Sequence, residues 1–225
     1  MASDRVVFLF DVDNTLLDND RVIADLRNHL EHDVGHEREE RYWAFNEELR
    51  TELGYVDYLG ALQRYRIKYP RDLHILAVST FLVNYPFANR LYPGSIDVID
   101  KVREHGTPAL LSDGDVVFQP RKIHRSGLAE AVGGNVMIYI HKELELDDVE
   151  QRYPADHYVM FDDKLRILAA MKDVWHKRLT TVFPRQGHYA RDPEALATHP
   201  APDLAVERIG ELADCDLSLL LEDAR

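Results

Sequence analysis

Val6-Val7-Phe8-Leu9-Phe10-Asp11-Val12-Asp13-Asn14-Thr15 is the stretch that decides the fold. Five apolar residues, rich in branched and aromatic types, read as a buried strand. The run ends in two carboxylates at i and i+2, which delivers both to one edge of a sheet. In open α/β sheets the carboxyl edge is where ligands bind. Carboxylates held so close repel one another and recruit a hard cation such as Mg2+, which prefers oxygen ligands. Two plainer readings compete. A calcium loop would place Asp11, Asp13 and Thr15 at its positions 1, 3 and 5, but Leu16 stands where that loop needs Gly and Val22 where it needs Glu. The other is an acidic turn after any strand, and only further motifs decide against it.

Those motifs follow in order, each at the end of another predicted strand. Thr107 to Leu111 runs into Ser112-Asp113-Gly114-Asp115, a hydroxyl at a strand end followed by a glycine that lets backbone N–H groups approach an anion. Asn135 to Ile140 is followed by His141-Lys142, and His157 to Phe161 runs into a second carboxylate pair, Asp162-Asp163. Further strands are expected near Thr180–Phe183 and Leu204–Val206. Helical spacing fills the intervals, with helices near Arg121, after Leu146 and from about Leu165. This alternation predicts an α/β fold, a Rossmann-like and mostly parallel sheet with helices on both faces. His188 to Pro202 reads as a polar surface connection before a last strand and a terminal helix.

Between Thr15 and Arg90 the pattern is helical throughout. Val22, Ile23, Leu26 and Leu30 have helical spacing, as do Tyr58, Leu62, Tyr65 and Tyr69 ahead of Pro70. Residues 17–90 are therefore expected to form an α-helical cap inserted into a core made of 1–16 and 91–225.

Taken together, the four fragments resemble the haloacid dehalogenase superfamily, and within it the phosphatase branch. The first motif of that family is Asp-x-Asp-x-Thr, matched by Asp11, Asp13 and Thr15; the second is matched by Ser112, the third by Lys142, the fourth by Asp162 and Asp163. The likeness runs from about Arg5 to Leu219. Two departures stand out: Asp113 replaces the usual Asn after Ser112, and the fourth motif reads Phe161-Asp162-Asp163-Lys164 without its usual Gly. Lys164 therefore competes with Lys142 as the third-motif lysine; Lys142 is preferred because it lies between the third and fourth core strands. Lys164 is expected to begin a helix and point outward.

The resemblance implies a Mg2+-dependent phosphatase acting through an aspartyl-phosphate. Asp11 would be the nucleophile and Asp13 the acid and base. Ser112, Asp113, Gly114 and Lys142 would surround the phosphate. Asp11, Asp13 (through its carbonyl), Asp162 and Asp163 would hold the metal, and Thr15 would brace the loop. Substrate choice would rest with cap residues such as Arg50, Tyr55 and Tyr58. A phosphomutase would use the same residues, and a non-catalytic binding or regulatory protein could keep the fold; the retained motif set counts against the last.

Composition bounds the partners. The chain has 225 residues, 45% of them hydrophobic, enough for one α/β domain with an insertion. A formal charge of −13 argues against nucleic acid and anionic membrane surfaces, so a small phosphorylated substrate must be drawn in locally. Arg64, Arg66, Lys68 and Arg71 alternate with Tyr65 and Tyr69, a mixture that could touch nucleic acid or a phosphorylated substrate and that tyrosines packing inward with cations facing water explain equally well; the overall charge weighs against nucleic acid. His29, His32 and His36 read as a solvated face. No apolar run spans a membrane and no leader is visible at Met1. A single cysteine, Cys215, forbids an intrachain disulfide and fits a reducing cytoplasm. Nothing in the sequence specifies the oligomeric state.

Overall fold

The computed structural model describes residues 5–224. Six strands form one parallel sheet in the order β3-β2-β1-β4-β5-β6: β1 Val6–Phe10, β2 Thr107–Asp113, β3 Val136–Tyr139, β4 His157–Phe161, β5 Leu179–Pro184 and β6 Leu204–Val206. β1 lies centrally because every residue in it is apolar and buried on both faces, the condition of an inner parallel strand. Its side chains divide by the period of two. Val6, Phe8 and Phe10 join one hydrophobic cluster, while Val7 and Leu9 join the cluster on the opposite face. Phe8, Leu9 and Phe10 are fully buried, each contributing about 1.5–3 kcal/mol by leaving water. The ring of Phe10 stacks on that of its register partner Phe161, with centroids 4.3 Å apart.

Each face carries helices, as the alternation requires. The Val7/Leu9 face is covered by α8 (Leu146–Arg152) and α9 (Leu165–Trp175), through Val149, Leu168, Met171 and Trp175. The Val6/Phe8/Phe10 face packs against α5 (Ser95–Val102) and α6 (Phe118–Ser126). The same cluster continues into α1 (Asn19–His29), α2 (His36–Leu53), α3 (Tyr58–Lys68) and α4 (Leu76–Asn84), all inserted between β1 and β2. That segment leaves and returns at adjacent points: Asp18 N–H donates to the Arg90 carbonyl at 2.7 Å, Tyr92 N–H to the Leu16 carbonyl at 2.9 Å, and Leu17 and Leu91 form an antiparallel bridge.

Some local expectations are corrected. Past His29, α1 widens into a π-helical turn over Leu30–Val34, ended by Gly35 at φ 101°. His29 is half-buried and stacks on Phe81 at 4.4 Å, so it is part of the packing between α1 and α4 and not of a solvated face. The stretch from His188 to Pro202 contains a short helix, Pro193–Thr198, started by Asp192 accepting the Glu194 N–H at 3.0 Å. The chain end is 3-10 helical over Leu217–Ala224. On α3 the tyrosines do pack inward, with Tyr58 and Tyr65 buried, while Arg66 and Lys68 are exposed.

Candidate active site

Parallel strands place their carboxyl ends on one side, and the sheet order makes β1 and β4 neighbours there. Phe10 pairs with Phe161, and Asp11 N–H donates to the Phe161 carbonyl at 2.9 Å, so the residues that follow, Asp11 and Asp162-Asp163, emerge side by side. Asp11, Asp162 and Asp163 are all buried, with one oxygen from each lying within 4.8 Å of the others. The loop after β1 is held by a left-handed Asn14 (φ 61°), whose amide and carbonyl bridge to Asp20, and by Thr15 Oγ1, which accepts the Asp163 N–H at 3.1 Å.

Lys142 stands among these acids. It is fully buried on a 3-10 turn after β3, with Nζ 2.5 Å from Asp11 Oδ1 and 2.6 Å from Asp162 Oδ2. Burial alone would lower its pKa, but Asp11, Asp162 and Asp113 outweigh that and hold the ammonium above its ordinary value. Taking such a cation away from buried carboxylates costs about 3–5 kcal/mol. Burial pushes the Asp162 carboxyl up to about 6, against the pull of Lys142. It pushes Asp163 well up too, with the charges of Asp162 and Asp11 adding to the effect.

One lysine does not satisfy three carboxylates. Asp11 Oδ2 and both side-chain oxygens of Asp163 are buried without a hydrogen-bond partner. Hard, anionic oxygens converging on one point are the donor set that a divalent cation such as Mg2+ takes. The residues therefore fit a metal, held by Asp11, Asp162 and Asp163. The carboxylate of Asp13 is not in this cluster.

Asp13 turns instead to a residue that the motif reading passes over. Lys122 Nζ lies 2.6 and 2.8 Å from the two Asp13 oxygens and 3.0 Å from Asn19 Oδ1. Lys122 occupies α6, whose buried positions Gln119, Lys122, Ile123 and Ser126 recur at helical spacing. A lysine in such a stripe needs a buried partner, which is the signal in the sequence that marks it.

The second-motif residues take other partners than the resemblance implies. Ser112 Oγ accepts from Gln119 Nε2 at 2.9 Å. The Gly114 N–H is already donated to the Tyr139 carbonyl at 2.9 Å, so it does not serve an anion; a glycine is needed there because a Cβ would lie 2.5 Å from that of Gln119. Asp113 Oδ1 accepts the backbone N–H of Lys142 at 2.8 Å and so fixes the turn that carries the lysine. Burial raises the Asp113 pKa, with Lys142 opposing. Of the expected phosphate-binding set, Ser112 and Asp113 end β2 and Gly114 follows it, while Lys142 lies beyond β3; Asp113 holds the turn that carries Lys142, and Gly114 bonds the end of β3.

Above this edge lies a cavity of about 320 Å³. Asp13, Asp113 and Lys164 line it from the sheet side, and Arg50, Tyr55 and Tyr58 from the segment inserted after β1. Lys164 does precede α9, as expected, but its side chain faces this cavity and not bulk solvent. Its N–H caps Asp162 Oδ1 at 2.8 Å.

Comparison with known proteins agrees with this geometry. The model of the haloacid dehalogenase-like hydrolase family matches residues 6–174. Among solved structures, a candidate haloacid dehalogenase-like hydrolase from Burkholderia xenovorans LB400 is 62% identical, with TM-score 0.90 over 95% of this chain and 99% of that one. More distant folds include the candidate hydrolase YfnB of Bacillus subtilis bound to magnesium, at 16% identity and TM-score 0.61 over 96% and 99% of the two chains. Another is L-2-haloacid dehalogenase of Xanthobacter autotrophicus with chloropropionic acid covalently bound, at 14% identity and TM-score 0.62 over 92% and 96%. A search of curated proteins gives no match. From the four motifs, the site they assemble and the family match over most of its length, the chain belongs to the haloacid dehalogenase-like hydrolases.

Proposed function

We propose that this hydrolase is a Mg2+-dependent phosphatase of a small phosphorylated metabolite, and that residues 17–90 serve as its cap. The observation that carries the reading is Asp13: a carboxylate two residues beyond Asp11, lining the cavity and held at both oxygens by Lys122. A phosphate ester leaves as an alkoxide and needs a proton donor at that place, whereas a halide leaves without one. The magnesium in the YfnB structure and the partnerless oxygens of Asp11 and Asp163 support the metal.

Asp11 would attack phosphorus, giving an aspartyl-phosphate and dividing one difficult displacement into two. Asp13 would protonate the leaving oxygen and then take the proton of the attacking water, a role contributing about 10²–10⁴-fold. Lys142 places a positive charge beside Asp11, where the phosphoryl oxygens gather charge, and Ser112 stands at the neighbouring strand end. A divalent cation on Asp11, Asp162 and Asp163, with the Asp13 carbonyl, would offset the repulsion between anionic nucleophile and anionic phosphate. Asp11 is only 4% exposed, so substrate reaches it when the cap moves away from the sheet edge. A cytoplasmic setting is consistent with the single exposed Cys215.

Phosphate release from a panel of phosphorylated metabolites, with Mg2+ and with EDTA, tests the reading. Turnover that EDTA removes, that Mg2+ restores and that Asp11→Asn lacks is expected. Full turnover by chelated, metal-free protein contradicts the metal assignment.

A further inference from the structure

Cations in a binding cavity are ordinarily neutralised by the protein itself, and here all but one are engaged. Lys122 is held by Asp13, Arg50 by Glu47 at 2.7 and 2.9 Å one turn back along α2, and Arg166 by Glu143 at 2.5 Å. The acids facing the cavity are engaged too: Asp113 by the Lys142 N–H, Asp115 by the N–H groups of Val117 and Phe118. Lys164 is the exception. Its ammonium has no hydrogen bond or ion pair among the described residues and rests 4.9 Å above the ring of Tyr189. Arg50, from the inserted helices, and Tyr189 and Lys164, from the core, line the same cavity.

The carboxylates of Asp11, Asp162 and Asp163 supply Lys164 with counter-charge at longer range, but none of them bonds it, so the three donors of its ammonium stay open to an anion in the cavity. The transferred phosphoryl group already has Lys142 and the acid cluster beside it. We propose that the substrate carries a second anionic group, a carboxylate or a second phosphate, and that Lys164 binds it, with Arg50 closing over it when the cap is down. Arg50 would then exchange its solvent-exposed pairing with Glu47, which is worth little, for a charge-assisted bond in a drier place. The proposal rests on the phosphatase reading for its reaction but on Lys164 for its specificity.

The test compares two esters of equal size, 3-phosphoglycerate and glycerol 3-phosphate, which differ by a carboxylate in place of a hydroxymethyl group. The native protein should prefer the carboxylate-bearing ester by at least about tenfold in kcat/KM, as expected of one charge-assisted hydrogen bond. Lys164→Met should collapse that ratio to near unity, chiefly through KM, and Lys164→Arg should restore part of it. Titration calorimetry on Asp11→Asn reads the same preference without turnover. A preference in binding with no hydrolysis of any ester would uphold the second anionic group while refuting the phosphatase. Equal affinity of native and Lys164→Met protein for the two esters, or an equal loss on both, would overturn the proposal and assign Lys164 to the phosphoryl group common to both.

Discussion

At the scale of single residues, Asp13 separates two chemistries that share a nucleophile. Asp13→Asn keeps the backbone carbonyl and the bond-accepting oxygen that Lys122 holds, yet cannot pass a proton. It should slow the ester of a poor leaving alkoxide by about 10²–10⁴-fold and an aryl phosphate such as nitrophenyl phosphate far less. Rapid-quench measurement of the phosphorylation step checks this; equal slowing for both esters would show that Asp13 is not the acid. Asp162 and Asp163 give a second prediction. Their folded-state pKa values lie above the ordinary carboxylate value, so the metal-free protein is favoured by their protonation. That contribution is present at low pH and lost as pH rises through about 6 for Asp162. In chelator, the thermal midpoint should therefore carry a falling component from about pH 4, the ordinary carboxylate value, to about pH 6, made shallower by Asp163→Asn. Mg2+, which binds the ionised form, should raise the midpoint more at the upper end of that range. A Mg2+ effect independent of pH would contradict the assignment of these acids as its ligands. The motif residues were legible in the sequence because a chemistry restricts them to one spacing. Lys122 is marked only as a cation within a buried helical stripe; that its partner is Asp13 is set by how α6 packs across the site.

At the scale of elements, the loop after β5 is tied to the loop after β1. Gln186 Nε2 donates to the Thr15 carbonyl at 3.0 Å, and Gly187, at φ 70°, passes so close that a Cβ would lie 2.5 Å from that of Asn14. Gly187→Ala should cost about 1–3 kcal/mol through strain and displacement of Asn14, read as a fall in denaturant midpoint with an accompanying loss of turnover. Unchanged stability would mean that the loop moves aside freely. The inserted helices carry a further expectation. Arg50→Met or Tyr58→Phe should shift preference among natural substrates by about tenfold while sparing a small aryl phosphate; equal losses on both would assign these residues to folding. Strand positions were legible because buried parallel strands are continuous apolar runs, as in Val6–Phe10 and His157–Phe161. The π-turn at Leu30–Val34 was not, since its extra residue is fixed by packing, with His29 against Phe81 and Leu30 and Val34 buried, and not by any local pattern. The Pro193–Thr198 helix hid in a polar stretch because none of its residues is buried.

At the scale of the whole molecule, one sheet edge collects acids from β1 and β4 and a lysine from beyond β3, and a helical insertion covers it. Fold class followed from alternation of periods, which any parallel sheet must show. The assembled site did not follow from it: that Gly114 spends its N–H on Tyr139, or that Lys164 faces inward, depends on register and helix placement. The molecule's net charge of −13 makes the local cations decisive in drawing an anionic substrate to Asp11. Its fold relatives include an L-2-haloacid dehalogenase with chloropropionic acid covalently bound, so the nature of the covalent intermediate discriminates most directly. The deciding measurement is the mass of the Asp11-containing peptide after rapid acid quench during turnover, with a phosphate monoester and with 2-chloropropionate offered separately. A gain equal to one phosphoryl group, dependent on Mg2+ and absent from Asp11→Asn, with no adduct from the haloacid, is the predicted result. A 1-carboxyethyl ester on Asp11, formed from the haloacid with loss of chloride, and no phosphorylated peptide, would contradict it.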